Sequence, residues 1–351
     1  MLGNTSQGNK GKVMRYKMKK YIILGNGLDW CRLSFHGIEY REDVLFLDSK
    51  LPLDMNKMSS KIARYYFSNT LNRNIDLPFK KLWYPSIYRH LELNEDEEQY
   101  LIIYDKNMLG NNRKFLRAVR KTFPKLKLIY TFTNIEKYSG ARINHFTDEL
   151  SSYYDVVLAF DRLDSEKYGF EYSPLVYNAN KKYMNSNVDS DVFYVGTAKD
   201  RLKMLISVFD KLMSMGIKCD FSIAEVNEDE IDNSKEITFN SRKSYSDVLD
   251  HISRTNCLLD VIQGNSTGLT IKTCEAICYD KKLITTNVHV KDYPFYDERY
   301  ILVINNADDI TKEFFTQNTD VKYKEEDKLF FSTEEFFKRI IGYLEMVNDD
   351  E

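Results

Sequence analysis

GNSTGLTIKTCEA, residues 264–276, lies between a predicted buried strand, Cys257–Ile262, and a predicted helix, Thr270–Cys278. A glycine-containing turn in this position presents backbone N–H groups and the positive end of a helix, which suits a diphosphate. Three hydroxyls and one carboxylate add to this pattern. The three hydroxyls belong to Ser266, Thr267 and Thr270. The carboxylate belongs to Glu275, which falls a turn and a half into the helix, where it could accept hydrogen bonds from the two hydroxyls of a ribose. An ordinary loop followed by a solvated glutamate fits the same residues about equally well.

Outward from this stretch, apolar strands alternate with helices through both halves of the chain. This alternation predicts two parallel sheets, each covered on both faces by helices. The predicted strands are Tyr21–Leu24, Asp43–Leu47, Tyr100–Tyr104, Leu126–Phe132, Asp155–Phe160, Val192–Val195, Cys219–Val226, Glu236–Phe239, Cys257–Ile262, Leu283–Thr286 and Ile301–Ile304. The other predicted helices are Met55 to about Leu71, Asn111–Phe123, Ile143–Tyr153, Asp200–Met215, Tyr245–Ile252 and Ser332–Met346.

These elements divide into two Rossmann-like domains, residues 21–178 and 179–331. The pattern lapses from Tyr168 to Asp191, which is therefore interpreted as a linker and hinge. Residues 332–351 form a final helix with a wide apolar stripe, which is expected to pack back on the first domain. Ser332 and Glu335 form a capping-box pair at its start. Residues 1–20 are basic, lack the apolar stretch of a signal peptide, and are expected to be a disordered tail.

Composition excludes several classes of protein. A chain of 351 residues is long enough for two domains at ~100–200 residues each. The net charge of −3 creates no overall field for nucleic acid. The five cysteines show no paired spacing, so they indicate core thiols in a reducing compartment and neither a disulfide framework nor a zinc site. No apolar run approaches the ~20 residues of a membrane-spanning helix.

The stretch that begins at Gly264 and continues through KKLITTN (281–287) resembles the donor-binding segment of GT-B glycosyltransferases. Thr267 stands where many retaining members of that family carry a second glutamate. The strings FYVGTAKDR, GLTIKTCEA with KKLITTN, and DVVLAFDRLDSEKYG with YSPLVY are more narrowly similar to bacterial enzymes that build lipopolysaccharide, capsule or exopolysaccharide. The likeness covers about the last 160 residues best.

This resemblance implies a GT-B fold, with two Rossmann-like domains facing a cleft and a C-terminal helix crossing back to the N-terminal domain. It implies transfer of a sugar from a nucleotide-sugar donor, held by the C-terminal domain, to a glycan or lipid-linked acceptor on the N-terminal domain. No metal and no cofactor are expected, because Lys199 or Arg201 can neutralise the leaving diphosphate. The implied donor-binding residues are Gly196, Thr197, Lys199, Arg201, Asn240, Ser266, Thr267, Gly268, Leu269, Thr270 and Glu275.

Several competing hypotheses remain at this stage. The turn Gly25-Asn26-Gly27 is not a dinucleotide site, because Trp30 occupies the third glycine position, and we expect it to line the cleft. Asp161 and Asp164 follow a strand and could hold a metal in a GT-A fold, whereas Asp189 and Asp191 are predicted linker charges. A nucleotide-sugar epimerase and a non-catalytic glycan- or nucleotide-binding protein are the alternative functions.

The general base is left open among three residues. Asp29, Asp105 and His145 follow predicted strands or lie in loops of the N-terminal domain that could face the cleft. A base must come within hydrogen-bonding distance of the acceptor hydroxyl, and sequence does not determine that distance.

A basic helix in the first domain is a candidate contact with anionic lipid. Its cations are Arg113, Lys114, Arg117, Arg120 and Lys121. A solvated helix face explains them equally well. The expected localisation is cytoplasmic, with peripheral contact to the inner face of the cell membrane.

Overall fold

The computed structural model describes residues 18–49, 51, 57–68, 79–91, 97–184, 187–264 and 266–349. Most of the predicted basic tail, both ends of the predicted helix Met55–Leu71, residues 185–186 of the predicted linker, and Asn265 of the glycine-containing turn lie outside these residues. The described strands form two six-stranded sheets, and every strand pair in them is parallel.

The first sheet has the order β2-β1-β3-β4-β5-β6. Its strands are β1 (Met18–Leu24), β2 (Val44–Leu47), β3 (Glu97–Tyr104), β4 (Lys127–Thr131), β5 (Val156–Ala159) and β6 (Glu171–Tyr172). The helices that go with it are α1 (Asp29–Ser34), α2 (Lys57–Tyr66), α3 (Tyr84–Tyr88), α4 (Arg113–Thr122), α5 (Gly140–Ile143) and α6 (Arg162–Tyr168). Short 3-10 turns lie at Ile38–Tyr40, Lys80–Trp83, Glu136–Tyr138 and Thr147–Ser152.

The second sheet has the order β12-β11-β10-β7-β8-β9. Its strands are β7 (Ser190–Thr197), β8 (Cys219–Ala224), β9 (Ile237–Phe239), β10 (Thr255–Asp260), β11 (Lys282–Thr285) and β12 (Ile301–Val303). The helices are α7 (Leu202–Ser214), α8 (Tyr245–Ser253), α9 (Ile271–Cys278), α10 (Lys312–Thr316), α11 (Glu325–Leu329) and α12 (Thr333–Asp349). Short 3-10 turns lie at Lys181–Tyr183, Glu228–Glu230, Val288–Asp292 and Ala307–Asp309.

Two sequence predictions for the first half are wrong in detail. β1 starts at Met18, so the last three residues of the predicted tail pair with β3. The predicted helix Ile143–Tyr153 does not form as one element: α5 ends at Ile143 and a 3-10 turn follows from Thr147. His145 between them has φ of +51°, and a left-handed residue cannot continue a right-handed helix.

The stretch predicted as a linker is largely packed structure. Glu171 and Tyr172 form β6 at the edge of the first sheet, and β7 begins at Ser190, within the predicted linker. Tyr177 is 2% exposed, and its N–H donates to the Phe331 carbonyl at 2.7 Å. Because the tyrosines in this stretch are apolar over most of their surface, they can be buried without a regular apolar period.

The C-terminal helix α12 completes the core of the first domain. Its apolar stripe packs on one face of the first sheet, where Phe336, Phe337, Ile340 and Leu344 meet residues of β1 and β3. The Phe337 ring stacks on Tyr21 with centroids 3.7 Å apart. The Glu335 N–H donates to Ser332 Oγ at 3.2 Å, so the predicted cap at the helix start is present.

The two sheets, the cleft between them and the returning helix confirm the predicted GT-B architecture. Buried cysteines also agree with the sequence analysis: Cys274 and Cys278 are core thiols on α9, and the five cysteines are free. Among the described residues, none of the helices has the length and apolar content to cross a membrane.

Phe337→Ala should destabilise the first domain, although residue 337 follows the whole second sheet in the sequence. The ring is 2% exposed and packs on Tyr21, so its loss leaves a cavity that costs about 3–5 kcal/mol of opening free energy. Amide hydrogen exchange at Ile22 and Ile102 measures this change. Lys338→Ala, one residue on, is the control and should shift the same amides by less than about 0.5 kcal/mol. Equal protection in both variants would contradict the bridging role of α12.

Candidate functional site

A cleft of about 260 Å³ lies between the two domains. It is formed where carboxyl ends of strands from both sheets face each other, which is where open α/β sheets bind ligands. The first domain contributes Trp30, Thr133, Asn134, Ile135 and Phe160; Leu175 comes from the connection, and the second domain contributes Arg201, Asp260, Ile262, Gln263, Ser266, Thr270, Ile271 and Lys272.

The second-domain side of the cleft sits at the point where the strand order of its sheet reverses. β7 is the first strand of that sheet, and β8 and β10 lie on either side of it. Arg201 follows β7, and Asp260 ends β10. Chains leaving two neighbouring strands in opposite directions open a crevice between them. The implied donor-binding residues from Gly196 to Arg201 and the glycine-containing turn therefore meet at one place.

Arg201 is anchored by backbone oxygens and has no carboxylate partner within the described part of the chain. Its guanidinium donates to the carbonyls of Val261, at 2.7 Å, and Thr197. Its Nε is buried and without a hydrogen-bond acceptor. Carbonyl oxygens orient the guanidinium but leave its positive charge unneutralised.

Lys272, in the first turn of α9, is the second cation of the cleft. Its ammonium lies 5.2 Å from the centroid of the Tyr194 ring, and no described residue accepts a hydrogen bond from it. Burial lowers the pKa of Lys272; Asp260 and Glu275 act against that shift, and Arg201 adds to it. Asp260 and Glu275 offset only part of the cost of burying this cation, because the pKa of Lys272 is still lowered, so the arrangement favours an anionic ligand.

Lys199 carries a third cation at the cleft. It has φ of +45°, a strained conformation for a residue with a side chain. Its ammonium donates to Gln263 Oε1 and lies 5.7 Å from the centroid of the Tyr138 ring, which belongs to the first domain. Burial lowers the pKa of Lys199, and repulsion from Arg201 contributes.

Asp260 holds the start of α9 against β10. Its Oδ2 accepts a hydrogen bond from Thr270 Oγ1 at 2.8 Å, and Thr270 in turn caps α9 by accepting from the Thr273 N–H. Asp260 is 2% exposed. It therefore fixes the helix end that carries Lys272.

Asp161 of the first domain occupies the glycine-containing turn of the second. Its carboxylate accepts from Ser266 Oγ at 2.9 Å, from the Thr267 N–H at 2.6 Å and hydroxyl at 3.1 Å, and from the Gly268 N–H at 3.0 Å. These are the donors that the sequence analysis assigned to a diphosphate. The backbone groups do bind an anion, but the anion in this structure is a carboxylate of the same chain.

Residue 268 must be a glycine because the backbone of the turn lies directly against Phe160 of the first domain. A Cβ on residue 268 would lie 2.5 Å from the Phe160 ring and 2.8 Å from the Phe160 carbonyl oxygen. Any side chain would push the turn away from β5 and lengthen the hydrogen bonds to Asp161.

Glu275 lies in the core of the second domain and does not line the cleft. It is 3% exposed, and its Oε1 accepts from the Tyr245 hydroxyl at 2.5 Å. Burial raises the pKa of Glu275 to about 7, opposed by the Tyr245 hydrogen bond and by Lys272. The structure thus gives Glu275 a protein partner in place of the expected ribose.

The three candidate bases are not brought together. Asp29 is exposed at the start of α1, next to Trp30 in the cleft wall. Asp105 is fully buried; burial raises the pKa of its carboxyl, and Oδ1 accepts from Tyr130 and from the Gly140 N–H. His145 is exposed beside α4, where its carbonyl accepts from Arg113. Of the three, only Asp29 adjoins the cleft.

Other predicted site residues have structural roles. Asn240 closes the connection between β8 and β9 through two hydrogen bonds with Val226, and Leu269 is fully buried in the core. The turn Gly25-Asn26-Gly27 does not line the cleft as predicted; the Gly27 N–H donates to Asp48. Gly196 lies beside the Tyr194 hydroxyl, and Thr197 contributes the carbonyl that orients Arg201.

The aspartate pairs considered as metal ligands are engaged with protein groups. Asp161 binds the glycine-containing turn, and Asp164 accepts from the Glu136 N–H at 2.6 Å. Asp189 pairs with Arg254, and Asp191, in β7, accepts from the Lys218 N–H. Within the described residues no group of three or more His, Cys, Asp or Glu side chains could hold a metal ion.

Sequence reasoning missed Lys272, Asp260, Gln263, Asn134 and the cleft-lining role of Trp30. One signal was available for Lys272: a cation in the first turn of a helix opposes the helix dipole, and such a position calls for an explanation. The others carried no local signal, because their placement depends on the docking of the two domains.

Glu275→Gln should remove a pH-dependent cost of folding. The carboxyl has an ordinary pKa of 4.5 and a folded pKa of about 7, so the buried charge destabilises the fold progressively between these values and fully above pH 7. Glutamine keeps an acceptor for Tyr245 without the charge. The unfolding free energy of the variant relative to wild type should rise by on the order of 3 kcal/mol from pH 4.5 to 8.

Urea denaturation at a series of pH values measures this difference. Glu228→Gln, at an exposed position, is the control and should track wild type throughout. If the unfolding free energies of wild type and Glu275→Gln change with pH in parallel, Glu275 does not carry a buried charge.

No protein-family profile matches the sequence, and no curated protein matches it with significance. Solved structures with a related shape include the accessory secretory proteins 1, 2 and 3 of Streptococcus pneumoniae, at 9% identity and a TM-score of 0.46 over 77% of this chain. The pneumococcal O-GlcNAc transferase GtfA in complex with UDP and GlcNAc has 13% identity and a TM-score of 0.41 over 76%.

This chain spans 58% of the accessory secretory protein chain and 60% of the GtfA chain. Trehalose 6-phosphate synthase from Burkholderia multivorans matches over 95% of this chain and 96% of its own, at 12% identity and a TM-score of 0.46. At these identities and scores the likeness carries no conclusion about activity, and the fold assignment rests on the topology and on α12.

Proposed function

We propose that this protein is a glycosyltransferase that moves a sugar from a nucleotide-diphosphate donor to a bacterial surface glycan. The acceptor class we propose is lipid-linked lipopolysaccharide, capsule or exopolysaccharide, on the resemblance of the sequence strings quoted above. One observation carries the donor half of the proposal. Arg201 and Lys272 lie in the cleft, at the strand-order reversal of the second sheet, and neither forms a hydrogen bond or salt bridge with a carboxylate of the described residues.

A diphosphate matches this charge arrangement. Two fixed cations, with Lys199 nearby as a third, attract a ligand that carries at least two negative charges. The cations line a cleft and not an open surface, and charge interactions are stronger where protein replaces part of the surrounding water. Thr270 and Ser266 line the same wall, and their hydroxyls donate to Asp260 and Asp161, so the charge of the ligand is left to the cations.

In the proposed reaction, an acceptor hydroxyl oxygen forms a bond to the anomeric carbon of the donor sugar. The bond from that carbon to the phosphate oxygen breaks, and the nucleoside diphosphate leaves with the electron pair. Arg201 and Lys272 stabilise the negative charge that grows on the leaving group, and their positions are set before the reaction begins. We propose that these cations make a metal ion unnecessary.

The acceptor is assigned to the opposite wall. Trp30 offers a flat apolar surface for a sugar ring, and Thr133 and Asn134 offer polar groups. Asp29 adjoins Trp30 and is the candidate that takes the acceptor proton. Asp105 is enclosed by Tyr130 and Gly140, which leaves it without access to an acceptor.

Turnover of a panel of nucleotide-diphosphate sugars should be detected as release of the nucleoside diphosphate, and it should persist in EDTA. A lipid-linked glycan acceptor should accelerate release above the rate of donor hydrolysis. Interconversion of the donor sugar without release of the nucleoside diphosphate would show that the protein is an epimerase. Binding of the nucleotide-sugar without either reaction would show that it is a non-catalytic binding protein. Activity that is lost in EDTA and restored by manganese would show that a metal is needed.

Lys272→Met should weaken donor binding while leaving the protein at least as stable as wild type. The ammonium forms no hydrogen bond or salt bridge with a described residue, and the cost of its burial outweighs the attraction of Asp260 and Glu275, so removing its charge relieves a net desolvation cost. Loss of a charged hydrogen bond to phosphate should lower nucleoside-diphosphate affinity roughly ten- to a hundredfold in calorimetry. Lys203→Met, on an exposed position of α7, is the matched control. Unchanged affinity in a folded Lys272→Met protein would remove Lys272 from the donor site.

A further inference from the structure

A second surface feature lies on the first domain, away from the cleft. It is a groove between the 3-10 turn Lys80–Trp83 and the outer face of α4. We call it the basic groove and define it by six of its lining residues: Phe79, Lys81, Leu82, Lys114, Arg117 and Lys121. None of these residues belongs to the proposed donor site.

Two large apolar side chains at the rim of the basic groove face solvent. Phe79 is 70% exposed and Leu82 is 73% exposed. Phe79 also has φ of +65°, a conformation that is rare and strained for a bulky residue. Burial of both side chains in an apolar medium would contribute favourably to binding.

Three of the four cations that define the basic groove share one face of α4. Lys114, Arg117 and Lys121 are exposed at intervals of three and four residues, while Phe115, Leu116 and Val119 on the other face are buried in the core. Lys81 stands beside Leu82 on the facing turn. No acidic side chain is among the described residues that line the groove.

We propose that the basic groove docks on the anionic surface of a lipid bilayer. Phe79 and Leu82 enter the boundary between headgroups and acyl chains, and the cations bind lipid phosphates. Attachment by two weak signals, apolar insertion and a cluster of basic residues, is how peripheral proteins bind anionic membranes reversibly. Nucleic acid would satisfy the cations but not the two apolar side chains. The proposal does not depend on the assignment of the donor site.

The position of α4 would place the docked lipid surface near the opening of the cleft. The helix follows β3, and its first turn lies at the carboxyl edge of the first sheet, where the cleft also opens. A lipid surface held by α4 therefore borders the acceptor domain. If the proposed function is correct, a lipid-linked acceptor would reach the cleft from that surface.

Co-sedimentation of the full chain with vesicles tests the proposal. Phosphatidylcholine vesicles are compared with vesicles in which phosphatidylglycerol replaces part of the phosphatidylcholine, at low and high salt. Binding should require phosphatidylglycerol and should fall as salt shortens the range of the charge interaction. The two groove variants are Arg117→Glu with Lys121→Glu, and Phe79→Ser with Leu82→Ser. Their matched controls are Lys203→Glu with Lys218→Glu, and Met213→Ser with Leu329→Ser, at other exposed sites.

Charge reversal in the basic groove should weaken binding at least ~25-fold, since each basic residue near an anionic surface contributes roughly a fivefold factor. The apolar variant should lose at least roughly fivefold, because it gives up the burial of two side chains. Both controls should bind within about twofold of wild type. Circular dichroism confirms that the variants are folded.

Three results would overturn the proposal. The first is no binding of wild type to phosphatidylglycerol vesicles. The second is full binding by both groove variants, which would assign attachment to the basic residues before Met18. The third is an equal loss of vesicle binding in a groove variant and its control. If the first result is accompanied by capture of RNA by the groove, the cations are assigned to nucleic acid instead.

Discussion

The arrangement of the two domains depends on one carboxylate. Asp161 follows β5 in the first domain and accepts four hydrogen bonds from Ser266, Thr267 and Gly268 of the second. It also caps α6 by accepting from the N–H of Leu163 at 3.1 Å. Hydrogen bonds to a charged acceptor are stronger than neutral ones, and here they are enclosed, since Asp161 is 2% exposed. The two domains are therefore joined beside the cleft by a contact that is short, buried and specific in direction.

The cleft beside this contact has the opposite electrostatic character. Asp161 satisfies the backbone donors of the turn, so these groups no longer neutralise an incoming anion, and the positive charge lies instead on Arg201 and on Lys272, which Asp260 and Glu275 offset only in part. A carboxylate on Lys272 would stabilise the empty protein and would also compete with a ligand. Functional sites commonly retain such unfavourable charges, and the rest of the fold supplies the stability that they cost.

The features of the fold that depend on local sequence pattern could be predicted, whereas the contacts that depend on how the two domains pack together could not. Alternating apolar runs and helices predicted the two sheets, and the stripe of Phe336, Phe337, Ile340 and Leu344 predicted that α12 needs a partner surface. The donors of the 266–268 turn were recognised as an anion site, but Asp161 lies 106 residues from Thr267. Likewise, Glu275 looked accessible on a helix, and only tertiary packing placed Tyr245 against it. His145 interrupted a predicted helix by a backbone conformation that propensity does not encode.

The return of α12 to the first domain affects how the chain can fold during synthesis. β1 and β3 are complete once Tyr104 has been made, but one face of their sheet, on which Cys31 and Phe35 also pack, is not fully covered until Phe336 and Phe337 leave the ribosome. At ~5–20 residues per second, that interval is on the order of tens of seconds. During it the nascent first domain exposes Tyr21, Ile23, Tyr100 and Ile102, an apolar surface of the kind that chaperones bind. The first domain is thus the first to be translated and the last to be finished, while the second sheet can close as soon as β12 is made.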